Sequence, residues 1–174
     1  TNWSPRRNRA AGMGFVPEDR HRRGLVLDYS VADNLVLGIH GDQPFVNRYG
    51  FRQQDEITRH AEGLIEDYDI RPGAPAQAAK HLSGGNQQKI VVAREISQNP
   101  ELLICSQPTR GVDVGAIESI HQRVIAQRDQ GSAVLLVSAE LDEILSLSDR
   151  VAVMYNGEIV SVMPIEEATE HKLG

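Results

Sequence analysis

Along residues 52–69 apolar side chains return at Ile57, Ala61, Leu64, Ile65 and Tyr68, a spacing that lines one face of an α-helix. The predicted helix ends before Arg71-Pro72-Gly73-Ala74-Pro75, where two prolines lack the N–H that another helical turn needs. Upstream, Met13-Gly14-Phe15-Val16-Pro17 reads as a short strand closed by proline, and a charged loop from Glu18 to Gly24 follows it. Ser30-Val31-Ala32-Asp33 then has the form of a helix start, with Ser30 as N-cap and Asp33 in place of the Glu of a capping box.

Beyond residue 82 the pattern changes. A small-residue loop, Leu82-Ser83-Gly84-Gly85, leads into a helix through Ser97 that Asn99-Pro100 ends. The apolar runs Leu102 to Cys105 and Val134 to Val137 lack polar alternation, as strands buried on both faces of a parallel sheet do. A long helix is predicted between them from about Val114 to Asp129, and a short one from Leu141 to Leu147. Arg150 to Tyr155 and Glu158 to Val162 flank Asn156-Gly157, a strong hairpin turn. The fold class is therefore α/β: a parallel sheet with helices, an early helical insertion and a small antiparallel edge.

Composition narrows the class without changing it. The chain has 174 residues, 40% hydrophobic and 24% charged, which is ordinary for a globular domain. A chain of this size buries about 70% of its unfolded surface, so a core needs no covalent staple. The single cysteine, Cys105, rules out an intramolecular disulfide and a multi-cysteine metal site, and points to the cytosol. No apolar run approaches the roughly 20 residues of a membrane span. The six histidines show no zinc spacing and read as solvated or locally hydrogen-bonded, and no metal ligands are assigned. Thr1-Asn2-Trp3-Ser4 has neither an initiator Met nor a signal sequence and reads as a cut end.

Net charge is −6, unevenly spread: residues 1–23 hold six arginines against Glu18 and Asp19, +4 in all, which leaves −10 on the remainder. Such an arginine cluster could grip phosphates, but no aromatic platform accompanies it and the bulk of the chain is acidic, so nucleic acid is not an expected partner. With Pro5, Pro17 and Gly24 around them, the arginines read as a solvated loop face.

The segment with chemical content is Leu82-Ser83-Gly84-Gly85-Asn86-Gln87-Gln88-Lys89. It feeds a helix N-terminus, where unpaired N–H groups and the positive dipole end favour an anion. Adjacent glycines let backbone approach a phosphate closely, and Ser83 can cap the helix or donate its hydroxyl. Taken alone, the four residues favour a plain N-capped helix after a turn over a phosphate site. The longer string resembles the signature motif of ATP-binding-cassette ATPases. About fifteen residues on, an apolar strand runs into Ser106-Gln107-Pro108-Thr109-Arg110-Gly111-Val112-Asp113, where that family has its Walker B strand and D-loop. Val16-Pro17-Glu18-Asp19-Arg20, Asn86 to Lys89 and Arg110 to Ala116 are similar to the second cassette of tandem ATPase subunits of sugar and nucleoside importers. Gly115-Ala116-Ile117-Glu118, Ile120-His121 and Leu141-Asp142-Glu143-Ile144 lean towards the nucleoside branch.

The resemblance implies a P-loop NTPase-like fold divided into residues 1–24 (end of a core strand and Q-loop region), 25–81 (helical subdomain) and 82–174 (signature helix and core with Walker B, D-loop and switch). It implies nucleotide contacts from Leu82, Ser83, Gly84, Gly85, Asn86 and Gln87, with Asp113 in the D-loop and Glu18 at the Q-loop position. Departures concentrate on one site. Ser106 replaces the Walker B Asp, Gln107 the catalytic Glu and Ala139 the switch histidine, leaving no charged Mg²⁺ partner and no base. A Walker A loop needs Gly-Lys before Ser or Thr, whereas Lys80, Lys89 and Lys172 follow Ala79, Gln88 and His171. The chain therefore reads as a truncated cassette with no phosphate loop, inactive alone, and with one edge of its parallel sheet underfilled.

In the family's head-to-tail dimer each ATP lies between one cassette's Walker motifs and the other's signature motif. The resemblance thus implies that this loop completes, in trans, an ATP·Mg²⁺ site of a partner: the N-terminal cassette of the same polypeptide or a second copy. Transmembrane permease subunits, met by residues 17–33 and the helical region, and indirectly a periplasmic or surface solute-binding protein are the implied further partners. The place is the cytoplasmic side of the inner membrane. Two alternatives stand beside this reading: a nucleotide-binding regulatory module without turnover, and a soluble cassette ATPase outside transport.

Overall fold

The structure is a computed structural model and describes residues 3–169. His171, Lys172 and the outermost residues of the 1–24 and 82–174 segments lie outside the described residues. Helix α1 (Pro5–Ala10), which hydrophobic periodicity does not announce, starts from local chemistry: Ser4 Oγ accepts from Arg7 N at 3.3 Å and Pro5 takes the first helical position. It leads into β1 (Met13–Val16). The expected loop after β1 is instead a five-residue π-helix over Arg20–Gly24. Asp19 Oδ1 closes it by accepting from the amides of His21 and Arg22 at 3.0 and 3.1 Å.

Helices α2 (Val31–Leu35) and α3 (Gln54–Asp67) form the helical region, and α3 buries Ile57, Ala61 and Ile65 as its periodicity predicts. Ser30 caps α2, its Oγ accepting from Asp33 N at 3.0 Å. Helix α4 (Gly84–Ile96) is the pivot of the molecule. It packs on β1, α2 and α5 and is buried nearly all round, with Ile90, Val91, Val92 and Ala93 closed to solvent. A helix enclosed on every side does not need an amphipathic stripe. Its charged end is paired inside: buried Arg94 donates to Glu95 Oε1 at 2.9 Å and to Gly24 O at 2.8 Å, while Glu95 Oε2 accepts from Phe15 N at 3.2 Å.

Strand β2 (Leu102–Ser106), helix α5 (Val114–Asp129) and strand β3 (Ala133–Val137) complete a parallel sheet of order β1-β2-β3. The register places Phe15, Ile104 and Leu135 in one row and Gly14, Leu103 and Val134 in the next. Leu103 and Cys105 point into the core. On the opposite face Phe15, Leu135 and Val137 are 42%, 52% and 48% exposed. The expectation of strands buried on both faces is thus corrected for β3, whose Ala133, Leu135 and Val137 side is exposed while Val134 and Leu136 pack against the core. Helix α6 (Leu141–Leu147) precedes β4 (Arg150–Tyr155) and β5 (Glu158–Pro164), an antiparallel pair turned by Asn156 and Gly157 at positive φ. Among the described residues no helix is long and apolar enough to cross a membrane.

Candidate functional site

Ser83 is the N-cap of α4, in extended backbone, and its Oγ accepts from Asn86 N at 3.4 Å and Asn86 Nδ2 at 2.9 Å. The first backbone bond of the helix runs from Gln87 N to Ser83 O, so the amides of Gly84 and Gly85 precede the helical ladder. Both glycines answer to crowding. A Cβ on Gly84 would lie 2.8 Å from Arg20 Nη2 and 3.1 Å from Gly111 O. One on Gly85 would lie 2.7 Å from Asp113 Oδ2 and 2.9 Å from Ala116 Cβ. Asp113 also caps α5, accepting from Ala116 N at 3.0 Å.

The other loop residues divide by burial. Asn86 Oδ1 accepts from Arg71 N at 2.7 Å, tying the loop to the end of the helical region. Leu82 is in the core, and Gln87, 6% exposed, donates to Ala79 O and Leu82 O at 3.1 and 3.2 Å. Gln87 Oε1 is also 2.8 Å from His21 Nε2. Leu82 and Gln87 therefore hold the loop from within, Gly85 is buried with them, Asn86 is engaged by Arg71 and Ser83, and Ser83 with the half-buried Gly84 is the accessible part of the loop. A hydroxyl and leading helix amides fit phosphate oxygens.

Ser106, Gln107 and Ala139 meet at the other candidate centre, the C-terminal ends of β2 and β3. Gln107 has φ 49°, donates its backbone N–H to Val137 O at 2.7 Å, and accepts from Ala139 N at 3.3 Å through Oε1. The side-chain amide thus closes onto the backbone of Ala139. These groups are neutral, and among the described residues no set of three or more His, Cys, Asp or Glu could hold a metal ion. Mg²⁺ does not fit this strand end, where Ser106, Gln107 and Ala139 offer no carboxylate. Behind it, Thr109 Oγ1 donates to Glu143 Oε1 at 2.9 Å, and His121 Nε2 lies 2.8 Å from the same oxygen. Cys105 beside it has its thiol pushed up to about 12, by burial first and by the Glu143 charge second.

Glu18 does not stand free at the Q-loop position: it pairs with Arg110. Arg20 donates to Arg110 O at 2.9 Å and to Gly111 O at 3.2 Å. Phe15, Glu18, Arg20, Ser106, Arg110 and Gly111 line a cleft of about 650 Å³. Charge and composition group Arg20 with the solvated arginines of residues 1–23, and its place in the Val16 to Arg20 motif does not reveal its partners. Its partners lie 90 positions away. A second hollow, of about 450 Å³, opens in the helical region beside Phe45 and His60. His60 Nε2 is buried there without a partner, and burial lowers the imidazole's pKa below its ordinary value.

Comparison with known proteins bears on this geometry. A family profile described as ABC transporter matches residues 2–110. The chain is 51% identical over 174 residues to the nucleoside import ATP-binding protein NupA of Lactococcus lactis subsp. cremoris, covering 100% of this chain and 34% of that protein. It is 47% identical to the guanosine import ATP-binding protein NupO of Bacillus subtilis, over 99% of this chain and 34% of that one. The glucose import ATP-binding protein TsgD13 of Haloferax volcanii is 45% identical over 100% of this chain and 32% of its own length. The chain thus spans about a third of the curated relatives it matches. Among solved structures, a nucleotide-free ATP-binding cassette from an ABC transporter superposes with TM-score 0.74 at 23% identity, over 94% of this chain and 65% of that one. The dimeric ATP-binding cassette MJ0796 with ADP and Pi gives TM-score 0.75 at 20% identity, over 94% and 68%. At such identities the likeness concerns the fold.

Proposed function

The chain belongs to the ABC transporter family, and on that premise we propose that it is part of the ATP-binding subunit of an importer for nucleosides or simple sugars. The nucleoside branch is favoured, since two of the relatives named above are nucleoside and guanosine import proteins. It works on the cytoplasmic side of the inner membrane with permease subunits, which an outside solute-binding protein supplies.

Its loop Ser83-Gly84-Gly85 completes an ATP site whose phosphate cradle, Mg²⁺ ligands and base belong to a facing cassette, in the same polypeptide or a second copy. ATP bound there would supply the phosphoryl group that passes to water with ADP leaving, and Mg²⁺ held by the facing cassette would neutralise the phosphate charge. Ser83 Oγ and the amides of Gly84 and Gly85 hold the phosphate oxygens with donors already oriented, which is worth most where charge develops. Asn86 fixes the Ser83 hydroxyl, and Asp113 fixes the approach of α5 to Gly85. The chain's own strand end does not hydrolyse ATP, because Ser106, Gln107 and Ala139 offer neither a carboxylate for metal nor a base.

The observation that carries this reading is the contrast between a tightly walled phosphate-type loop and a neutral strand end in one chain. Its test is Gly84→Asp in the full-length subunit with its membrane partners. The new carboxylate faces phosphate and its Cβ collides with Arg20 and Gly111 O. ATP-driven uptake and turnover are expected to fall by about 100-fold or more; wild-type uptake would refute the proposal.

A further inference from the structure

We propose that Arg20 is a positioning residue for the Ser83-Gly84-Gly85 loop, acting through the turn at residues 110–111. The inference rests on the reading that this loop completes a partner's ATP site. Arg20 opens the π-helix over Arg20–Gly24, which Asp19 caps. Its guanidinium places one terminal nitrogen on each of two consecutive carbonyls, Arg110 O at 2.9 Å and Gly111 O at 3.2 Å. Its Nε is buried without a hydrogen bond, so the fork is committed to those carbonyls. The neighbouring pair between Glu18 and Arg110 makes a second tie between the same two segments.

That turn forms the wall of the phosphate loop. Gly111 O and Arg20 Nη2 together occupy the space a Gly84 side chain would need. Asp113, two residues on, occupies the space at Gly85. Gly111 itself is held at φ 66°, a conformation that favours glycine, so the direction of its carbonyl depends on what grips it. The π-helix is joined to α4 at two further levels, through His21 to Gln87 and through Gly24 O to Arg94. Arg20 thus couples the segment after β1 to the loop without reaching a nucleotide itself. A planar fork satisfies two carbonyls at once, whereas lysine is a point charge that satisfies one well.

The test uses the full-length ATPase with its membrane partners and measures kcat, KM for ATP and Tm for Arg20→Ala, Arg20→Lys and Gly84→Asp. Arg20→Ala is expected to lower kcat about tenfold with KM within about twofold, because a displaced donor set acts on the reacting complex more than on ATP capture by the facing cassette. Arg20→Lys is expected to recover part of that loss, with Tm unchanged. Wild-type kcat in both arginine variants would overturn the inference, as would a parallel loss of kcat, rise in KM and fall in Tm, the mark of a merely structural residue. If Arg20→Ala does not accumulate, Arg20→Lys decides by the same split between kcat and KM. An inactive Gly84→Asp beside fully active Arg20 variants removes only the role of Arg20. A fully active Gly84→Asp removes the underlying reading.

Discussion

The start of helix α4 and the ends of the strands it packs near are built in opposite ways. The N-terminus of α4 is walled at its glycines and open at Ser83: Ser83 is bonded to Asn86, Gly84 lies against Arg20 and Gly111, and Gly85 against Asp113 and Ala116. The C-terminal ends of β2 and β3, where Ser106, Gln107 and Ala139 meet, carry no charge of their own, and Gln107 spends its side-chain oxygen on the Ala139 amide. Close walls and oriented donors are what a phosphate needs, and a carboxylate is what metal-assisted hydrolysis needs. One end meets its requirement and the other does not. The difference teaches that the shape of the loop at the start of α4 is set by its own packing contacts and not by the chemistry of the strand ends.

The largest expected effect breaks the rigid side of this comparison. Arg94 and Glu95 are buried in the last turn of α4, and removing the arginine leaves a buried carboxylate without its main partner. Arg94→Ala is expected to destabilise the fold by about 3–5 kcal/mol, read by urea unfolding. A loss below about 1 kcal/mol would mean that α4 is not anchored this way.

A smaller effect sharpens the strand side. Cys105 lies on the closed face of β2, with its thiol pushed up to about 12 from an ordinary 9.0. A folded-state acid whose pKa is raised contributes stability that is complete below pH 9.0 and is lost as pH climbs towards about 12. Between those limits the native protein should lose at most about 1.4 kcal/mol per pH unit through this thiol, a slope absent in Cys105→Ala. Alkylation of the native protein near pH 8 should be slow and become fast on unfolding. Rapid alkylation of the folded chain would show that the core behind Ser106 is open.

Much of this was legible in the chain, and the gaps have a physical pattern. Local signals carried far: the Ser83 cap, the α3 stripe at Ile57, Ala61 and Ile65, and the Asn156-Gly157 turn are set by residues within a few positions of one another. The grouping of Ser106, Gln107 and Ala139 was implied by the family resemblance, and the paired ends of β2 and β3 bring the three together. What stayed hidden was set by distant partners. Arg20 finds its carbonyls across 90 positions, and Glu18 is taken by Arg110 rather than left for a ligand. The apolar run of β3 gives no hint that only one of its faces is covered, because periodicity records side-chain character and not the element opposite. The π-helix at Arg20–Gly24 depends on one carboxylate, Asp19, in a run dominated by arginine.

The smallest expected effect belongs to the measurement that tests the central claim most directly: steady-state ATP turnover of the full-length subunit carrying Gly84→Asp or, separately, Gln107→Glu. A lone glutamate at the strand end still lacks a metal-binding carboxylate and a switch histidine, so Gln107→Glu should change turnover by less than about twofold, while Gly84→Asp abolishes it. The reverse result, a large gain from Gln107→Glu with turnover intact in Gly84→Asp, would contradict the account and make the strand end the working site.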